Sequence, residues 1–248
     1  MYDLTHETLA EVAVYRAPLT ALTIATRSPF ILLGDLMKSV TLLRLETSGA
    51  KPEIESVARD YAPLWMTSVA IFDDSWFFGA EDSGNIVGWR REDDLKAEGR
   101  LAMVHEMRFG EMINRIRLGS LSNSEIPGVE TKALFATVDG TIGIVATLSE
   151  EEFVMLEQIE RRMEEFDMSL GNIDHARYQF PWFFRLTNRW RAFTNGRKKA
   201  LRSKGFIDGD FVEGFMDLDA ATREKCCEGI NGGVEEVQRL IEELSRLH

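Results

Sequence analysis

Cysteine is nearly missing from the chain: its 248 residues hold two, Cys226 and Cys227, side by side. Neighbours in sequence cannot tie distant parts of a fold together, so a disulfide framework is excluded and a reducing compartment is the natural setting. The four histidines stand apart at positions 6, 105, 175 and 248, without the close spacing of a zinc site. No metal or other cofactor is expected. Long apolar runs are absent too. None approaches the roughly 20 residues that cross a bilayer, and the opening MYDLTHETLAE has no basic leader followed by an apolar core. The chain reads as intracellular, with no membrane partner. Also missing are the dinucleotide-binding glycine pattern, the P-loop, the nucleophile elbow and the metalloprotease helix. Carboxylate pairs occur at Asp73-Asp74, Asp93-Asp94 and Asp208/Asp210. The first two lie in turn-like or charged text, and the third reads as a turn and helix cap. No catalytic residue is expected.

Basic residues are few, and they are segregated. With 29 Lys and Arg against 41 Asp and Glu, the formal net charge is −12, which argues against nonspecific binding to a polyanion. One window runs against that average. From Ala176 to Ile207 there are nine basic residues and no acid, with Trp182, Phe183, Phe184, Trp190 and Phe193 interleaved. Cations alternating with aromatics suit a single-stranded nucleic acid, which makes Arg191, Arg197, Lys198, Lys199 and Arg202 candidates for nucleic-acid contact. The run from Gly196 to Lys204 has the composition of a nuclear-import signal. The plainer reading is a surface loop that docks its aromatics on a helical domain and leaves its cations solvated.

What is present is a long meander. Short β-like runs fill residues 1–148: Val12 to Arg16, Thr20 to Ala25, Phe30 to Leu33, Ser39 to Leu45, Ile54 to Arg59, Met66 to Phe72, Trp76 to Ala80, Ile86 to Arg91, Leu101 to Met107, Met112 to Leu118, Lys132 to Val138 and Ile142 to Leu148. Turn signals separate them, among them Asp73-Asp74, Asp82-Ser83-Gly84 and the hairpin signal Asp139-Gly140. Strands at this spacing fit a sandwich, a barrel or propeller blades of four strands. As blades they would number about three, fewer than a closed ring needs, which would make the sequence an excerpt of a longer protein. The period changes after Leu148. Ser149 and Glu152 form a capping box, and Phe153, Leu156, Ile159, Met163 and Phe166 recur at helical spacing towards Gly171. Asp210 with Glu213, Asp219, and the break at Gly232-Gly233 mark three further helix starts, the last running to the end of the chain. The expected class is mainly β with an α C-terminus: one of those three β architectures over 1–148, a partial β-propeller among them, then a helical domain over 149–248 carrying the basic aromatic insert at 176–205.

Two segments, Phe30 to Val40 (FILLGDLMKSV) and Ala58 to Met66 (ARDYAPLWM), set a lone cation and a tryptophan beside apolar text. Together with AIFDDSWFFGAEDSGNI, ALFATVDGTIGIVATLSEEEF, GNIDHARYQF, GFIDGDFVEGFMDL and the closing VEEVQRLIEELSRLH, they resemble the large subunit of the damaged-DNA-binding protein. That family comprises triple-propeller adaptors of cullin-RING ubiquitin ligases, and its relatives in splicing and mRNA cleavage and polyadenylation share the Ile-Asp-Gly-Asp element. The resemblance covers nearly the whole chain and places it at the end of the third propeller plus the helical domain. It implies a non-catalytic adaptor, nuclear and also cytoplasmic, whose cleft grips a helical motif of WD-repeat substrate receptors. Carried over by motif, the contacts fall on Leu19, Leu22, Lys38, Arg59, Trp65 and Val138. Lys38 stands where the family commonly has arginine, and the two cations hydrogen-bond differently. The other implied partners are the remaining propellers of the full-length protein and, through a second propeller outside this sequence, the cullin. Nucleic-acid contact is implied only indirectly. An RNA-processing subunit of the same architecture is the alternative. Without the resemblance, a tryptophan after a turn in a β protein is ordinarily a core residue.

Overall fold

The computed structural model describes residues 2–5, 8–49, 51–92, 99–120, 126–166 and 205–247. The basic aromatic window up to Lys204 lies outside them, and with it Arg191, Arg197, Lys198, Lys199 and Arg202. The described chain opens on a hairpin, β1 (Tyr2–Thr5) with β2 (Thr8–Glu11). Eight strands follow: β3 (Ala21–Arg27), β4 (Phe30–Asp35), β5 (Val40–Glu46), β6 (Glu53–Arg59), β7 (Met66–Ile71), β8 (Trp76–Glu81), β9 (Asn85–Glu92) and β10 (Gly99–Arg108). They fall into two four-stranded meanders, in the order β3-β4-β5-β6 and β7-β8-β9-β10, joined where β6 and β10 run parallel for two residue pairs. Gly99 makes that join possible, because a Cβ there would stand 2.0 Å from the carbonyl oxygen of Val57.

Register explains why these runs are strands. In the first meander Leu32 pairs with Leu42 and Leu42 with Ala58. In the second Ile71 pairs with Phe77 and Phe77 with Trp89. Each is a row of apolar side chains on one face, as a period of two dictates, and both rows belong to one buried cluster. Full burial of an aliphatic or aromatic side chain contributes about 1.5–3 kcal/mol, so the two rows hold the meanders together as neighbouring propeller blades. Gly34 permits the close approach: a Cβ on it would meet Met66 Cβ at 2.9 Å.

A further sheet has the order β11 (Ile113–Leu118), β12 (Glu130–Thr137), β13 (Ile142–Thr147). It has three strands among the described residues where a four-stranded blade is expected. The expected strand Val12 to Arg16 is likewise not one. That stretch has β-branched residues but no partner in the sheets, and the pairing falls instead on Thr8–Glu11. Strand propensity is mostly a statement about packing against a neighbour.

The helical part begins with α1 (Glu150–Phe166) and continues with α2 (Gly209–Glu213), a 3-10 turn (Gly214–Asp217), α3 (Ala220–Cys226), α4 (Gly233–Leu244) and a last 3-10 turn (Ser245–Leu247). The capping box at its start is reciprocal: the Glu152 amide donates to Ser149 Oγ at 3.3 Å and the Ser149 amide to Glu152 Oε2 at 3.2 Å. The second helix is capped by Asp208, not Asp210. The Asp208 carboxylate accepts from the Phe211 amide, and Asp219 caps α3 in the same way. Leu156, Ile159, Met163, Phe215, Val237, Leu240 and Ile241 form the core of these helices together with both cysteines. Residue contacts divide the chain into two compact units, one of residues 1–106, 111–117 and 136–141 and the other of 107–110, 118–135 and 142–248. The fold is thus mainly β with helices following it, part of a β-propeller and then a small helical part.

Candidate functional site

Three segments meet at one end of the two blades: the approach to β3 at residues 18–22, the turn from β4 to β5 at 35–39, and the link from β6 to β7 at 60–65. All three lie in the first unit. Two buried carboxylates organise them. Asp35, with no exposed surface, accepts from the Leu19 amide (3.2 Å) and the Met37 amide (3.2 Å). Asp60 accepts from Ser39 Oγ (2.7 Å), Trp89 Nε1 (3.1 Å) and the Ala62 amide (3.2 Å). The backbone adds more ties. The Leu36 amide donates to the Thr20 carbonyl, the Asp35 amide to the Ser39 carbonyl, and the Ser39 amide to the Leu64 carbonyl, at 2.8 to 3.0 Å. A buried carboxylate is costly to desolvate unless it is hydrogen-bonded. Here the bonds that satisfy it fix the loops.

These anchors hold up an apolar and cationic surface. Leu19, Met37, Tyr61 and Trp65 are about half exposed, Trp65 at 47%. Leu22 is exposed as well, and it is the extra residue where the β3–β4 register slips between Ala21 and Thr23. A bulge of this kind re-aims a side chain at a sheet end. Lys38 and Arg59 are both exposed, and the Arg59 guanidinium lies 4.4 Å above the Tyr61 ring. Stacking on the ring keeps the guanidinium at the surface beside an aromatic face. Of the six residues singled out in the sequence, Leu19, Leu22, Lys38 and Trp65 stand on these three segments, and Arg59 ends β6 directly before the third. Val138 is exposed in the β12–β13 loop, and its amide donates to the Met112 carbonyl at 3.0 Å. Tyr61 and Met37 belong to the same surface and were not singled out. Their positions within ARDYAPLWM and GDLMKSV were the available signal.

Asp73 and Asp208, each from a carboxylate pair considered for catalysis, have structural roles, and Asp93-Asp94 lies outside the described residues. Asp73 accepts from the Ser75 amide, Ser75 Oγ and the Trp76 amide within a turn. Partial burial pushes its carboxyl up, but these bonds and the charge of Arg27 outweigh that and hold it below its ordinary value. Asp208 and Asp219 cap helices. Burial pushes the Cys226 and Cys227 thiols up, with Arg162 pulling the other way, so they stay neutral and inert. Among the described residues no group of three or more His, Cys, Asp or Glu could hold a metal ion, and no helix is long and apolar enough to cross a membrane.

Tryptophan, arginine and lysine thus stand exposed on one blade pair whose loops are held from beneath. The chain belongs to the family of the CPSF A subunit region, whose model matches residues 1–217. It is 37% identical over 253 residues to DNA damage-binding protein 1 of Oryza sativa subsp. japonica, covering 99% of this chain and 22% of that protein. Identity to DNA damage-binding protein 1a of Arabidopsis thaliana is 35% over 254 residues, with 99% and 22% covered. To DNA damage-binding protein 1 of Drosophila melanogaster it is 32% over 247 residues, with 93% and 20% covered. The chain spans about a fifth of the length of the curated relatives it matches.

Proposed function

We propose that this chain is a non-catalytic part of a cullin-RING ubiquitin ligase adaptor, and that the loop end of blades β3–β6 and β7–β10 docks the helical motif of a WD-repeat substrate receptor. The observation that carries this reading is Trp65, half exposed on a segment held by buried hydrogen bonds, with Leu19, Leu22, Met37 and Tyr61 exposed in the same unit. Tryptophan and arginine are the residues most enriched at binding hot spots, and a rigid aromatic anchor loses little entropy when a partner covers it. Lys38 and Arg59 complement acidic side chains, or the carbonyls at the C-terminal end of a docking helix. Val138 extends the contact from the β12–β13 loop. In this reading residues 1–148 supply the docking surface, while cullin contact belongs to other parts of the longer adaptors. Work in the nucleus, in the response to DNA damage, follows from the same family likeness and from relatives named for binding damaged DNA.

Replacing Trp65 by alanine tests the surface. Affinity for a purified WD-repeat receptor should fall about thirtyfold or more, as at a hot spot, with the circular dichroism spectrum and melting temperature unchanged. Unchanged affinity refutes the docking surface. The second reading, an RNA-processing subunit of the same architecture, rests on the basic aromatic window in the sequence. Salt-sensitive RNA binding that disappears when Arg197, Lys198 and Lys199 are neutralised would support it.

A further inference from the structure

Ser39 is the only non-glycine residue with a positive φ among the described residues, at 53°, and it has no exposed surface. A side chain is rarely tolerated in that left-handed region, and it persists there when the surroundings over-determine it, often at ligand clamps. The surroundings here are specific. The Ser39 amide donates to the Leu64 carbonyl (3.0 Å), its carbonyl accepts from the Asp35 amide (2.8 Å), and its hydroxyl donates to Asp60 Oδ2 (2.7 Å). The first bond reaches the residue before Trp65. The last reaches the carboxylate that also holds Ala62 and Trp89. Ser39 in turn follows Lys38 directly.

We propose that Asp60 and Ser39 are coupled positioning residues that set Lys38 and Trp65 in a fixed spacing, so that the β4–β5 turn and the β6–β7 link move as one body. Neither residue is part of the docking surface, since both are buried. Asp60 acts at the junction: one oxygen holds the turn through Ser39 and the β9 tryptophan, and the other holds its own loop through Ala62. Binding two anchors at once is tighter when their spacing is set beforehand, because the ordering cost has already been met in folding. The left-handed turn at Ser39 projects Lys38 outward while its backbone stays bonded to the neighbouring link. A Gly-Asp turn with a free hydroxyl would leave the two anchors independent.

The coupling is tested without a partner. In Asp60→Asn, which keeps the size but replaces one accepting oxygen with a donor, amide exchange should quicken about tenfold at Met37, Ser39 and Ala62 together, with strands β5 and β8 unaffected. Ser39→Gly provides the second variant. It retains access to the left-handed conformation and removes the hydroxyl tie together with the Cβ, so it should fold and show the same joint loosening. Faster exchange at Ala62 alone, with Met37 and Ser39 still protected, overturns the coupling. The consequence for binding rests on the docking reading above. A purified WD-repeat receptor should dissociate about tenfold faster from Ser39→Gly. If Trp65→Ala weakens the receptor and Ser39→Gly does not, the positioning role is overturned. If neither weakens it, the docking surface itself is refuted, and the exchange data alone decide the coupling.

Discussion

Two pairs of aspartates do different work in the two parts of this chain. At the loop end of the blades, Asp35 and Asp60 are buried and spend their hydrogen bonds on backbone and side chains of other segments. In the helical part Asp208 and Asp219 cap the helices that follow them, each accepting from an amide three residues on. A cap satisfies its own helix and stops there. A buried carboxylate joins elements far apart in sequence, as Asp60 does with Ser39, 21 residues away, and Trp89, 29 away. The helical part has one long-range tie of this kind, the Asp208 amide donating to the buried Glu160 carboxylate 48 residues away (2.9 Å), and otherwise rests on its caps and core, whereas the blade end gathers several such ties beneath an exposed apolar surface. One arrangement gives stability, and the other gives a shaped surface.

Substitutions can sharpen that contrast. Phe215 has no exposed surface and sits in the helical core. Phe215→Ala should cost about 3–5 kcal/mol by calorimetry or denaturant titration, without altering amide protection at Met37 and Ala62. Asp208→Ala should cost less, about 1 kcal/mol, as loss of a cap does, and its effect on exchange should stay near α2. An effect of that substitution on the blade end would break the contrast. The smallest effect is expected at Asp73. Its folded-state carboxyl lies below the ordinary value of 3.8, so it contributes stability that is complete above that value and lost as pH falls through the lowered one. Asp73→Asn should thus lower the unfolding free energy slightly near neutrality, by no more than about 0.5 kcal/mol for a partly exposed group. The gap to the parent protein should close between about pH 5 and pH 2. A gap that widens on acidification would reverse the sign of this assignment.

Much of the fold could be read from the sequence because it is written locally. Alternating apolar runs gave the strands of the two blades, Ser149 with Glu152 marked the start of α1, and Asp139-Gly140 marked the turn before β13, where Gly140 has a φ of 101°. Local reading failed where pairing decides. Val12 to Arg16 has strand-like residues without a partner, and Thr8–Glu11 has one. At the candidate site the exposed anchors could be named from the motifs that carry them, but their supports could not. Asp35 follows a glycine and Asp60 follows an arginine, so each looks like a turn or a solvated pair. Burial and bonding partners 16 to 29 residues away are properties of the folded chain. Nor does the sequence indicate that Ser39, rather than Gly34, adopts the left-handed turn.

The most direct test of the account is a hydrogen-exchange footprint of a purified WD-repeat substrate receptor on this chain. Docking at the loop end of the blades predicts protection at residues 19–22, 36–39, 59–65 and 138, with strands β5 and β8 and helix α4 unchanged. Stable complex formation with no protection at 36–39 and 59–65, or protection confined to the helical part, would contradict it.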